Sequence, residues 1–97
     1  MQARAVNFTA DAEEDLLDIW VYIGERNPAA ADSMLHRLYD AANLLGEFPA
    51  MGIRRPSLGK DIRTVEVPPY LLIYTLQTSD VRIIRVLHKA RDIKNLI

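Results

Sequence analysis

Residues 9–46 read TADAEEDLLDIWVYIGERNPAAADSMLHRLYDAANLLG, and the spacing of apolar residues in this stretch decides the architecture. Thr9 suits a helix N-cap, and Asp11, Glu13 and Glu14 behind it complement the positive end of a helix dipole, so a helix begins near Ala10. Ala12, Leu16, Ile19, Trp20 and Ile23 then recur at i, i+4, i+7, i+8 and i+11, a single apolar stripe. Trp20 is expected in the core by this pattern, while Asp11, Asp15, Asp18 and Glu25 fall off the stripe. Gly24 to Asn27 breaks the period, and Asn27-Pro28 supplies a second N-cap with proline at the first helical position. Ala31, Met34, Leu35, Leu38, Ala41, Ala42 and Leu45 carry the pattern on to Gly46, and Pro49 prevents continuation. With so short a connection, residues 10–46 are expected to fold as an antiparallel helical hairpin.

On the N-terminal side, residues 3–8 read as a short strand with Val6 and Phe8 on one side. On the C-terminal side, residues 49–61 contain Pro49, Gly52, Pro56 and Gly59, which predicts a basic loop in which neither helix nor strand persists. Ile62 to Val67, Tyr70 to Leu76 and Val81 to His88 are rich in β-branched and aromatic residues and are separated by short turns, the pattern of a three-stranded antiparallel meander. Strict alternation in the last strand would put Arg82, Ile84, Val86 and His88 on one side and Val81, Ile83, Arg85 and Leu87 on the other. Residues 90–97 suit one or two helical turns. The sum is a two-layer α+β fold: an N-terminal strand, a helical hairpin packed on an antiparallel sheet and a short C-terminal helix, in one domain over residues 1–97.

At 97 residues, with 49% hydrophobic and 26% charged side chains, the chain has material for one core and is too apolar to be disordered. It has no cysteine, which excludes disulfides and thiolate metal sites. The longest apolar runs, such as Leu71-Leu72-Ile73, are far short of a membrane span, so a cytoplasmic protein is expected. Charge is distributed unevenly. Residues 1–48 hold three Arg against nine Asp and Glu, a balance of −6, whereas residues 49–97 hold six Arg and three Lys against four acids, a balance of +5. Such asymmetry suits a surface for an anionic partner, or two halves that neutralise each other. His36 and His88 stand apart without metal-ligand spacing, no glycine motif for phosphate or dinucleotide is present, and Ser57 and Ser79 lie in turns without a histidine partner. No metal and no cofactor is expected.

Phe8-Thr9, Asp15-Leu16, Tyr22-Ile23, Pro28, Leu45, Pro49, Gly52, Arg63, Tyr70, Ile73-Tyr74 and the closing Arg85-Val-Leu-His-Lys-Ala-Arg-Asp92 occur in this order from about Val6 to Asp92. In that combination the chain resembles the ParE/RelE superfamily of bacterial toxins, and its tail looks most like the ParE branch. The resemblance implies a toxin of a type II toxin–antitoxin system. ParE-like toxins trap DNA gyrase on cleaved DNA and are neutralised by a ParD-type antitoxin, whose partner-binding segment folds on the toxin and is often acidic. A hetero-oligomer with antitoxin, and contact with DNA through gyrase, would follow. RelE-like relatives instead cut messenger RNA in the ribosomal A site.

The two activities demand different residues. Metal-free RNA cleavage needs a general base and cations around the phosphorane. His88 is the candidate base, Arg63 and Arg85 the phosphate clamp, and Lys89 a further charge. RelE-like nucleases commonly carry a tyrosine near the end of the last strand, whereas this chain has none after Tyr74. A binding function instead draws on a cationic surface of Arg54, Arg55, Lys60, Arg63, Arg82, Arg85 and Arg91, with Tyr22 and Tyr39 as places for a partner to cover. The expectation is a gyrase-binding toxin without catalytic chemistry, and the alternative is a ribosome-dependent endoribonuclease.

Overall fold

The computed structural model describes residues 3–91 and 93–96. Strand β1 (Ala5–Phe8) leads into helices α1 (Ala10–Gly24) and α2 (Pro28–Glu47), followed by strands β2 (Ile53–Arg54), β3 (Ile62–Val67), β4 (Tyr70–Leu76) and β5 (Asp80–His88). The C-terminal segment forms one 3₁₀ turn, Ile93–Asn95; Asp92 and Ile97, which fall within the helix expected over 90–97, lie outside the described residues. Both N-caps form as their residue types demand: the Thr9 side chain accepts from the Ala12 N–H, and that of Asn27 from the Ala30 N–H.

Two helices pack on a five-stranded sheet of order β1-β5-β4-β3-β2. The meander is antiparallel as expected, but the sheet as a whole is mixed, because β1 pairs parallel to β5 through Ala5↔Asp80 to Phe8↔Ile83. A parallel neighbour requires an intervening crossover, and the helical hairpin and meander together supply it. Residues 49–61 also depart from expectation: Ile53–Arg54 pairs with Arg63 and Thr64 as a two-residue edge strand. Tyr74 organises that approach, its hydroxyl donating to the Pro49 carbonyl at 2.8 Å and accepting from the Gly52 N–H at 2.9 Å. A Cβ at Gly52 would collide with the Tyr74 ring.

The core lies between hairpin and sheet. Ala12, Leu16 and Ile19 of α1 and Leu38, Ala42 and Leu45 of α2 meet Tyr70, Leu72 and Tyr74 of β4 and Val81, Ile83 and Val86 of β5. Each large apolar side chain fully buried here contributes roughly 1.5–3 kcal/mol. Two expectations for α1 are corrected. Trp20 is 43% exposed and donates its indole N–H to Asp32 on α2 at 2.9 Å, because 100° per residue turns it away from Ile19 and out over the seam between helices. Asp15, placed off the stripe, is buried, and in fact lies on the Ala12/Ile19 face at i+3 and i−4. Alternation in β5 also fails. Ile73 pairs with Arg85 while Tyr74 pairs with Ile83, leaving Ile84 as a bulge, so that Val81, Ile83 and then Val86 join the core.

Candidate binding site

Because β1 ends at Phe8, opposite Ile83, the second half of β5 has no strand neighbour on its outer side. The first turns of α1 take over that role. Thr9 Oγ1 donates to the Ile84 carbonyl at 2.9 Å, and Asp15 Oδ2 accepts from the Val86 N–H at 2.9 Å. Arg85 folds onto the same carboxylate, its Nε donating to Oδ2 at 2.8 Å and its Nη2 to Oδ1 at 3.0 Å. Its Nη1 donates to the Leu96 carbonyl at 2.6 Å, which ties the C-terminal turn to α1. The hydrogen bonds to Asp15 hold the guanidinium pKa above its usual value.

Past this ion pair the helix and strand diverge, and a groove of about 700 Å³ opens between them. Ile19, Tyr22 and Ile23 form the α1 wall, Met34 the floor from α2, and Tyr70, Val86 and Leu87 the sheet side. Asp15, Asp18, Arg91 and His88 add charge and polarity at the margin. Strand alternation turns the His88 N–H outward like that of Val86, while the His88 carbonyl already accepts from the Arg91 N–H at 3.0 Å, so the groove is an apolar trough with a backbone donor at its end. Burial, with the Tyr22 phenol nearby, pushes the Tyr70 hydroxyl above its ordinary pKa. Apolar troughs of this kind accept an amphipathic helix.

The residues considered for phosphodiester cleavage are brought together only in part, and each is engaged elsewhere. Arg85 is fixed to Asp15. Arg63 donates to the carbonyls of Ala50 at 3.2 Å and Gly52 at 3.0 Å. Lys89 is paired with Glu66. His88 Nδ1 accepts from the Ala90 N–H at 3.0 Å, and its ring stands edge-to-face on Tyr70 with centroids 5.6 Å apart.

The cationic residues do not form one surface. Arg54, Arg55 and Lys60 cluster at the β2 edge, separated from β5 by β3 and β4. Arg82 lies 4.0 Å from Asp80, and Arg91 lines the groove. Of the two tyrosines, Tyr22 is a groove wall, whereas Tyr39 stacks edge-to-face on Phe8 with centroids 5.4 Å apart and lies elsewhere. Sequence reasoning missed Asp15, Met34, Tyr70 and Val86 as site residues. For Asp15 a signal existed, an acid three residues after Ala12 and four before Ile19; for the others the apolar pattern reads the same whether the residue fills a core or lines a groove. Among the described residues no cluster of acids and histidines could hold a metal, and no helix is long and apolar enough to cross a membrane.

Residues 6–93 match the family described as the ParE toxin of the type II toxin–antitoxin system parDE. The toxin RelE2 of Caulobacter vibrioides is 38% identical over 86 residues, covering 89% of this chain and 96% of that protein. The chromosomal ParDE system of P. aeruginosa contains a chain that superposes with a TM-score of 0.76 at 20% identity, over 89% of this chain and 96% of that one. The RelBE2 toxin–antitoxin complex of Mycobacterium tuberculosis gives a TM-score of 0.63 at 23% identity, over 94% and 97%. At these identities the two structures establish the fold.

Proposed function

The chain belongs to the ParE family of type II toxins, and from that membership we propose that it arrests growth by binding DNA gyrase and is neutralised by a ParD-like antitoxin seated in the groove between α1 and β5. The observation carrying the first half is that every residue considered for RNA cleavage already has a structural partner. His88 is the sharpest case. With Nδ1 accepting from the Ala90 N–H, the neutral ring carries its proton on Nε2, so neither nitrogen keeps a free lone pair for a ribose hydroxyl. A clamp on the phosphorane needs free guanidinium forks, and Arg85 gives both faces of its own to Asp15 and Leu96. The groove supports the second half, because its apolar walls suit the apolar face of a segment that folds on binding.

The experiment is a side-by-side assay of purified toxin for inhibition of gyrase supercoiling and for cleavage of ribosome-bound message. Loss of supercoiling with intact message is expected. Cleaved message with normal supercoiling would overturn the gyrase reading in favour of a RelE-like nuclease, the reading that the likeness to RelE2 favours. For the groove, Met34→Asp with Tyr22→Ala should weaken antitoxin binding by at least about tenfold, as expected for loss of apolar anchors at an interface centre.

A further inference from the structure

Arg54 on β2 and Arg63 on β3 are direct cross-strand partners, a like-charge placement that costs a sheet stability. Arg63 is compensated by the Ala50 and Gly52 carbonyls, but the Arg54 side chain has no partner among the described residues. Lys60 is likewise exposed and unpartnered among them. Arg55 gives only its Nε, to Thr64 Oγ1 at 2.9 Å, so its two terminal amino groups remain available. These three cations surround a hollow of about 280 Å³ whose lining includes a single acid, Asp61.

The loop around it is shaped, with a turn closed by the Leu58 N–H on the Arg55 carbonyl at 3.0 Å. Gly59 at φ 150° and Asp61 at φ 65° both lie in the region that favours glycine. A non-glycine residue held there and a like-charge pair both oppose stability, and such departures concentrate where a site is being built.

We propose that the hollow bounded by Arg54, Arg55 and Lys60 is a phosphodiester site through which this toxin grips the backbone of duplex nucleic acid without reading its sequence. Guanidinium forks match phosphate oxygens two at a time. A phosphate backbone presents regular charge with no side chain to immobilise, whereas each carboxylate of an acidic peptide would lose rotamer freedom on entering. A protein interface places apolar groups at its centre and charge at its rim. Here the cations line the centre, while the exposed Phe48, Met51 and Ile53 lie outside the lining. Contacts to phosphate oxygens fix a protein on the duplex without carrying sequence information. The site goes beyond the gyrase reading. It lies on the far side of β3 and β4 from the antitoxin groove and does not depend on which target the toxin arrests.

The test is fluorescence anisotropy of a short labelled duplex DNA of arbitrary sequence titrated with the full chain at several salt concentrations, with no gyrase or antitoxin present, so that its outcome is separate from the supercoiling assay. Wild-type protein should bind with affinity that falls as salt rises. Arg54→Glu with Lys60→Glu, two exposed positions, should weaken binding by at least about tenfold and lower the log–log salt slope by about 2. Arg26→Glu with Arg37→Glu on the helices changes net charge equally and should leave affinity within about twofold. Circular dichroism checks folding, and Arg54→Gln with Lys60→Gln repeats the test should the Glu pair misfold. The proposal is overturned if wild-type protein fails to bind the duplex, if the β2-edge variants bind like wild type, or if the helix variants lose as much. Binding of polyglutamate as tight as that of DNA would also overturn it, in favour of an acidic protein segment.

Discussion

At the outer half of β5 a buried aspartate, a threonine and an arginine complete one another, whereas at the β2 edge two arginines face each other and a lysine nearby has no partner among the described residues. Both edges come from the same basic half of the chain. On β5 the charge is consumed internally: Asp15 on α1 accepts from Arg85 and from the Val86 N–H, so the helix replaces the missing strand. On β2 the strand spans only Ile53–Arg54, and both of its residues are exposed. A cation is thus a binding group or a structural one according to whether the fold delivers a counter-charge, and a charge count does not distinguish these cases.

If that contrast is right, damage should be large at one edge and negligible at the other. Asp15→Ala leaves the Arg85 guanidinium and the Val86 N–H without their acceptor, and should cost about 3 kcal/mol in urea unfolding. A loss under about 1 kcal/mol would mean the pair is ornamental. Next in size, Tyr74→Phe removes a hydroxyl that satisfies the Pro49 carbonyl and the Gly52 N–H, and should cost about 1–2 kcal/mol by the same measurement.

Tyr74 also predicts a pH response. Burial raises its pKa above 10.0, partly offset by the Gly52 hydrogen bond and by Arg63. The unfolded chain therefore releases this proton first as pH rises, so stability is intact below about pH 10 and falls above it. Tyr74→Phe should reduce that alkaline decline, and an unchanged profile would refute the assignment. Thr9→Ala, which loses a cap and the bond to the Ile84 carbonyl, should cost about 1 kcal/mol. Smallest of all, Arg54→Ala should leave stability within about 0.5 kcal/mol of wild type or raise it, because it removes a repulsion from Arg63. A clear destabilisation would show that Arg54 has a structural role.

Much of the architecture is legible in the sequence. The caps at Thr9 and Asn27, the apolar stripes of both helices and the three long strands follow from local rules, since each is set by neighbours within a few residues. The candidate site was legible only in fragments. Tyr22 and Arg91, both candidates from the sequence, line the groove, but the charge pattern groups Arg85 with surface cations although it pairs with Asp15, and the apolar period puts Trp20 in a core that Asp15 enters instead. A helical wheel cannot say that one acid on an apolar face will meet an arginine seventy residues away. Nor can alternation foresee a bulge at Ile84 that turns Val86 inward.

The amino-acid order by itself determined the helical hairpin, the meander, the family and the division of charge between the halves, because these depend on periodicity, turn chemistry and composition. Tertiary structure alone decided that β1 runs parallel to β5, that α1 finishes the sheet edge with a carboxylate, and that the arginines separate into engaged and available sets. Those outcomes depend on which distant groups come within about 3 Å of each other, the range at which a hydrogen bond or ion pair forms, and that distance exists only once the chain has folded.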